Sequence, residues 1–138
     1  MFMLDTNVVS EMRRQKKMHP NVYAWAQSTP FASLYLSAIT VFEIEMGVLR
    51  IERKDAKQAV PLRWWLEQRV LKEFDGRILP FDTTAARRCA GLHVPNPKAE
   101  RDAMIAATAL VHGMTVITRN VADFRFMGSN TFNPWMDH

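Results

Sequence analysis

Cysteine is nearly missing from this chain. Cys89 stands alone among 138 residues, so an internal disulfide cannot form, and no Cys-x-x-Cys or Cys/His cluster offers a zinc site. That usage fits a reducing compartment, and the cytoplasm is the expected location. Glycine is scarce as well. With 5 Gly in the whole sequence there is no glycine-rich loop to cradle a phosphate and no sharp turn of the kind that presents a nucleophilic serine. Apolar runs are short: four residues precede Asp5, far below the ~7–15 of a secretory segment or the ~20 of a membrane span. No export or membrane segment is expected. The histidines His19, His93, His112 and His138 show no paired spacing and are given no role.

What the chain does have is positive charge and a set of carefully spaced acids. Its length suits one domain over residues 1–138, able to bury roughly two thirds of the surface of the unfolded chain. Lys and Arg number 18 against 14 Asp and Glu, a net charge of +4. If four of those acids were taken up by a metal ion, 18 basic groups would face 10 acidic ones, and such a surface attracts polyanions, nucleic acid first.

The hydrophobic pattern alternates short strands with helices. Residues 2–4 read as a buried strand and 6–14 as a helix started by Thr6 and Asn7 and frayed by Arg13, Arg14, Lys16 and Lys17. After His19-Pro20 come a short helix over 22–27 and a second strand over 32–37. Thr40, with Glu43 three residues later, has the spacing of a capping box and predicts a helix from Thr40 to about Arg53. A further helix is expected from Lys57 or Pro61 to Phe74, then a strand over 77–80 after Asp75-Gly76, and a helix capped at Asp82 that ends at Gly91. Pro95 and Pro97 bracket Asn96, which predicts an N-cap at Asn96 and a helix over 98–111. Gly113 stops it, 115–118 is a fourth strand, 119–126 a loop with a helical turn, and 131–132 a short edge strand. The fold class that follows is α/β, a mainly parallel sheet of four to five strands with helices on both faces.

In such sheets functional groups gather beyond the carboxyl ends of the strands. Asp5 follows the first strand, Glu43 the second, Asp123 the fourth, and Asp102 lies in the first turns of a helix entering the same rim. Each acid alone has an ordinary explanation: Glu43 as a capping-box partner, Asp5 and Asp102 as helix N-terminal acids, Asp123 as a turn cap. Four acids on one rim repel one another unless a cation sits among them, so the convergence predicts a divalent metal site.

The stretches around these acids are Met-Leu-Asp-Thr-Asn-Val-Val-Ser-Glu at 3–11, Arg-Asp-Ala-Met-Ile-Ala-Ala-Thr-Ala at 101–109 and Thr-Arg-Asn-Val-Ala-Asp-Phe at 118–124. In this order they resemble the PIN-domain family, in particular the VapC-type (FitB-like) toxins of bacterial type II toxin–antitoxin pairs, over nearly the whole chain. The resemblance implies a PIN-like fold and a metal-dependent endoribonuclease. Its site would consist of Asp5, Glu43, Asp102 and Asp123, and hydrolysis would leave a 5′-phosphate and a 3′-hydroxyl. It also implies a cognate antitoxin whose C-terminal segment wraps the toxin, and a homodimer.

A hard cation with oxygen ligands and retained waters points to Mg²⁺, with Mn²⁺ admissible. Asp5 and Asp102 are the expected direct ligands, with Glu43 and Asp123 holding metal-bound water or a second ion. Asn7, Thr118 and Asn120 stand next to the acids as supporting residues, or supply turn chemistry. Glu11 and Glu45 are left out of the site. Among the bases, Arg101 and Arg119 rank first as RNA phosphate contacts, ahead of Lys98, Arg125 and the 13–17 run. The apolar group Trp64, Trp65, Leu66, Val70 and Phe74, and the Phe42, Met46 and Leu49 face, read mainly as core, with a partner groove as the alternative. Two other functions remain open at this point: a nucleic-acid or protein-binding module without turnover, and a phosphohydrolase of small esters, although Asn7 replaces the second acid of an Asp-x-Asp nucleophile motif.

Overall fold

A computed structural model describes residues 1–137. Five short strands, β1 (Phe2–Leu4), β2 (Leu34–Ser37), β3 (Ile78–Leu79), β4 (Thr115–Ile117) and β5 (Thr131–Phe132), form one sheet in the order β3-β2-β1-β4-β5. Every pairing is parallel, with Phe2 opposite both Leu34 and Thr115. The first strand of the chain is therefore the middle one. The chain steps to one side for β2 and β3 and to the other for β4 and β5, so the strand order reverses at β1, where a crevice opens at the carboxyl ends.

Alternation along the strands sorts the core into two layers. Met3 and Val116 point to one face and pack with Ala103, Ile105, Ala106, Ala107 and Ala109, while Leu4 and Ile117 point to the other with Val8, Ile44, Val48 and Leu66. The first layer is covered by α6 (Thr83–Leu92) and α7 (Glu100–Val111), the second by α1 (Thr6–Arg13) and α3 (Ala38–Lys54). Alanines dominate the buried face of α7, and their small side chains let that helix lie close to the sheet and to α6.

The other helices are α2 (Pro20–Ser28), α4 (Ala56–Trp65) and the short α5 (Leu71–Glu73). Between α4 and α5 the chain continues through a π-helical turn, Leu66–Val70, so 56–73 is one helical rod, as the apolar spacing predicts. Asp55 caps it, accepting from the N–H groups of Lys57 and Gln58. Asp82 caps α6 through Ala85 N–H.

Several boundaries differ from the sequence reading. The capping box at Thr40 does not form. α3 starts at Ala38 because Ser37, at the very end of β2, accepts from Ile39 N–H at 3.0 Å and takes the cap. Thr40 is then already inside the helix and fully buried, and Glu43 is released from any capping duty. The Asn96 cap fails too: α7 begins at Glu100, because Lys98 N–H is engaged by His93 Nδ1 at 3.1 Å in a closed 93–98 turn. Asn96, preceding a proline, is also biased away from helical backbone. α6 runs one residue past Gly91 to Leu92, β4 stops at Ile117, and residues 31–33 form a 3-10 turn before β2. α2 starts at Pro20, which sits well at a first helical position.

The apolar groups divide. Leu66, Val70 and Phe74 are core and Trp65 packs beside them, but Trp64, Phe42 and Leu49 are more than half exposed. His138 lies outside the described residues. Of the other histidines, His19 caps α2 and His93 closes the turn before α7. Among the described residues no helix is long and apolar enough to cross a membrane.

Candidate active site

Asp5 is the fixed point of the rim. It leaves β1 with its N–H bonded to Ile117 O at 2.9 Å, and at only 6% exposure it is almost buried. Its side chain is the N-cap of α1: Oδ1 accepts from Thr6 N–H at 2.9 Å. Oδ2 accepts from the Thr118 hydroxyl at 2.8 Å and from Asn7 Nδ2 at 3.3 Å. Three donors from two elements thus hold one carboxylate in a single orientation. Burial pushes the Asp5 carboxyl above the usual range; the Thr118 and Thr6 bonds pull it back, and the charges of Glu43 and Asp123 push it further up.

Around Asp5 the supporting residues form a small lattice. Asn7 also reaches Thr118 Oγ1 at 3.4 Å, and its own Oδ1 accepts from Arg119 N–H at 3.2 Å. Asn7 is therefore committed as a brace on both sides, the opposite of a free nucleophile. Asn120 contributes through its main-chain N–H, which donates to Thr118 Oγ1 at 3.0 Å. The loop after β4 is tied in this way to the start of α1, more than 110 residues earlier in the chain.

Glu43 comes to the rim from α3, one turn beyond where a capping box would have held it. Its Oε1 accepts a 2.6 Å hydrogen bond from Thr6 Oγ1, and its Oε2 lies 3.7 Å from Arg101 Nε. Thr6 is the site residue that the sequence reading missed. By sequence it is only a helix starter, and its bond to a residue 37 positions away has no local signal.

Asp102 lies in the first turn of α7 beside Glu100, at the positive end of the helix dipole. Even so, its carboxyl is pushed up to about 6, first by burial and then by the charges of Asp5, Asp123 and Glu43, with Arg101 opposing. Asp5 and Asp102 therefore both feel the charges of Glu43 and Asp123, the latter on the 3-10 turn Val121–Phe124. Glu11 and Glu45 do not join them. Glu11 accepts from His19 N–H at 2.7 Å and pairs with Arg14, and Glu45 pairs with Arg63.

The donor set tests well against a hard cation. It is all carboxylate oxygen, the Asp5 and Asp102 carboxyls both feel their acidic neighbours, and among the described residues one guanidinium, Arg101 at 3.7 Å from Glu43, pairs with it. Among the described residues no three His, Cys, Asp or Glu side chains are drawn together as a ready cage. A hard cation that keeps most of its waters needs only one or two direct carboxylates and does not require a closed cage. A cleft of about 980 Å³ between α3 and α7 leads to Glu43 and Asp102 and is walled by Phe42, Arg50 and Arg101. Arg101 also lies over the Phe42 ring at 6.0 Å, and Arg119 over Trp135 at 5.3 Å.

The chain is similar to known proteins over most of its length. The model of the PIN domain matches residues 2–126. Toxin FitB of Neisseria gonorrhoeae is 41% identical over 143 residues, covering 99% of this chain and 100% of its own. The VapC ribonuclease Y4jK of Sinorhizobium fredii is 37% identical over 140 residues, with 98% of each chain covered. Among solved structures, FitAB bound to an IR36 DNA fragment superposes with a TM-score of 0.88 at 40% identity, covering 100% of this chain and 99% of the other. DNA-bound VapBC of Salmonella typhimurium gives 0.71 at 25% identity, with 96% and 97% covered.

Proposed function

The chain belongs to the PIN-domain family, and from that premise we propose that it is the endoribonuclease toxin of a type II toxin–antitoxin pair, working with a divalent metal ion at the four-carboxylate rim. The observation that carries the metal is the Asp102 carboxyl, lifted to about 6 by burial first and then by the charges of Asp5, Asp123 and Glu43. A structural set of surface acids would not be so crowded. The relatives named as a toxin and as a VapC ribonuclease support the substrate class and the biological role.

Asp5 and Asp102 are the residues that would hold the cation, with Glu43 and Asp123 completing the oxygen shell through water. When bound, Mg²⁺ or Mn²⁺ supplies a Lewis acid that acidifies water and neutralises charge on the phosphoryl oxygens. The chain's own residues do the positioning. Thr6, Asn7 and Thr118 stop the Asp5 carboxylate from turning, and Thr6 does the same for Glu43. Such fixed carboxylates need no reorganisation as charge develops. Arg101 and Arg119 take phosphates of the RNA strand, and Arg101 can leave the loose 3.7 Å pairing with Glu43 to do so. Hydrolysis breaks the bond from phosphorus to the 3′ oxygen, leaving 5′-phosphate and 3′-hydroxyl ends.

The partners follow from the same kinship. FitAB and VapBC are solved as complexes on DNA, and a cognate antitoxin is the expected partner here. The exposed Trp64, Phe42 and Leu49 are apolar surface that a protein contact, antitoxin or second copy, would cover.

Incubating a mixed structured RNA pool with the purified protein plus Mg²⁺, Mn²⁺ or chelator, beside Asp5→Asn and Asp102→Asn, tests the reading. Metal-dependent fragments with 5′-phosphates, lost at least about a hundredfold in both variants, are expected. Binding of RNA with no cleavage under any condition would instead favour a module without turnover.

A further inference from the structure

Arg101 stands where its own helix does not favour it. It lies in the first turn of α7, between Glu100 and Asp102, at the end of the helix dipole that attracts anions and repels cations. Its hold comes from α3 instead. Arg101 Nε lies 3.7 Å from Glu43 Oε2, and the guanidinium carbon lies 6.0 Å from the centre of the Phe42 ring. The side chain thus spans the cleft between α7 and α3 at the point where Glu43 and Asp102 line it.

The pairing takes the oxygen of Glu43 that the fold leaves over. Oε1 accepts from the Thr6 hydroxyl at 2.6 Å, so with Arg101 in place both oxygens are engaged. Asp102 feels the same positive charge, which pulls its carboxyl down against burial and the other acids. Among the described residues no other Lys, Arg or His forms an ion pair with any of the four acids. Arg119, the other base beside them in sequence, lies over Trp135. The Arg101 contact is also easy to break, since 3.7 Å is longer than a hydrogen bond, the side chain is 47% exposed, and exposed pairs hold weakly.

We propose that Arg101 is a built-in counter-ion of the acidic rim: in the metal-free protein it brings Glu43 and Asp102 a positive charge in place of a divalent ion, and it must give up Glu43 Oε2 when that ion enters. The contact is autoinhibitory in a defined sense. It eases the repulsion among the acids while the rim is empty, and it makes the rim bind a cation more weakly than the acids alone would. This rests on the divalent-metal reading of the four acids, and it assigns Arg101 a task before any RNA arrives.

The test measures Mn²⁺ binding alone, without RNA, by counting free Mn²⁺ through its electron paramagnetic resonance signal. Arg101→Met removes the charge and keeps an apolar stem against Phe42, Arg101→Lys keeps the charge, and Arg50→Met removes another cation of the same cleft. Arg101→Met is expected to tighten Mn²⁺ binding about 3- to 30-fold, because a unit charge at such short range opposes a doubly charged ion even in a medium as polar as water. Arg101→Lys stays near the parent. Arg50→Met changes Kd less than about threefold, since Arg50 lies two turns of α3, about 10 Å, beyond Glu43 and salt screens it. A merely structural Arg101 predicts the opposite sign, as a loosened rim binds metal less well. Unchanged or weaker binding in Arg101→Met would therefore overturn the proposal, and so would equal tightening in Arg50→Met, which would leave only the general charge of the surface. Binding by the parent in either of those cases keeps the metal reading intact. No binding by the parent or any variant would strike the metal reading and the counter-ion with it, whereas binding that emerges only in Arg101→Met would support both.

Discussion

Thr6 donates its hydroxyl proton to Glu43 across a 2.6 Å gap, joining the first turn of α1 to the second turn of α3. The same residue gives its N–H to Asp5. One threonine thus orients two of the four acids, and their relative positions depend on it.

Thr6→Val keeps the shape and the N–H but deletes the hydroxyl. Cleavage should fall about tenfold, with the loss in kcat more than in KM, because Glu43 is then steered by Arg101 alone. Thr6→Ser should restore most of the rate. Steady-state cleavage of one defined RNA by the three proteins checks this, and a Val variant as fast as the parent would remove Thr6 from the site.

Thr118→Val probes the other side of Asp5. The Thr118 side chain is fully buried, and its loss strips the nearly buried Asp5 of its 2.8 Å partner. Leaving that carboxylate short of a donor should cost about 1–3 kcal/mol of stability. Without the donor that pulls it down, the Asp5 carboxyl should rise further, moving the acid limb of the rate profile to higher pH. Denaturant melts and a pH–rate profile give the two readouts.

Asp102 makes the metal-free protein sensitive to pH in a defined direction. Its folded value of about 6 lies above the ordinary 3.8, so the folded state holds the proton more tightly than the unfolded chain. The stability this brings is complete below the ordinary value and is lost as pH rises through the folded one. With chelator present, the difference in Tm between Asp102→Asn and the parent should therefore grow from pH about 4 to pH about 7, the variant being the more stable at the upper end. A difference that stays flat across that window would mean that neither burial nor the neighbouring acids lift this carboxyl.

Adding Mg²⁺ or Mn²⁺ should reverse that penalty. A cation that binds only the folded protein raises Tm by mass action, by about 2.7 kcal/mol of stability at a hundred times its Kd. The shift should be large for the parent and small for Asp5→Asn and Asp102→Asn. Equal shifts in all three proteins would point to cation binding elsewhere.

The strand and helix sequence and the parallel sheet are legible in the residues, because strand ends and helix starts carry strong local signals, and those same signals set Asp5, Glu43 and Asp123 after strand ends and Asp102 at a helix start. The errors came where two local signals competed. Thr40 and Glu43 have the spacing of a capping box, but Ser37 reaches the helix start first as β2 ends. Asn96 and Pro97 look like a helix start, but His93 captures the N–H of Lys98. Nor could spacing reveal the Thr6 to Glu43 bond, which links residues 37 apart, or the bond from Thr118 to Asp5 across 113. Those contacts exist only once the sheet has chosen its strand order.

That strand order has a consequence for synthesis. β1 is translated first, yet one of its two neighbours, β4, begins only at Thr115, and the hydroxyl that steadies Asp5 belongs to Thr118. A growing chain that has not yet reached these residues has an open edge where the crevice should be. A chain so arranged cannot brace the Asp5 carboxylate until β4 and Thr118 have been made.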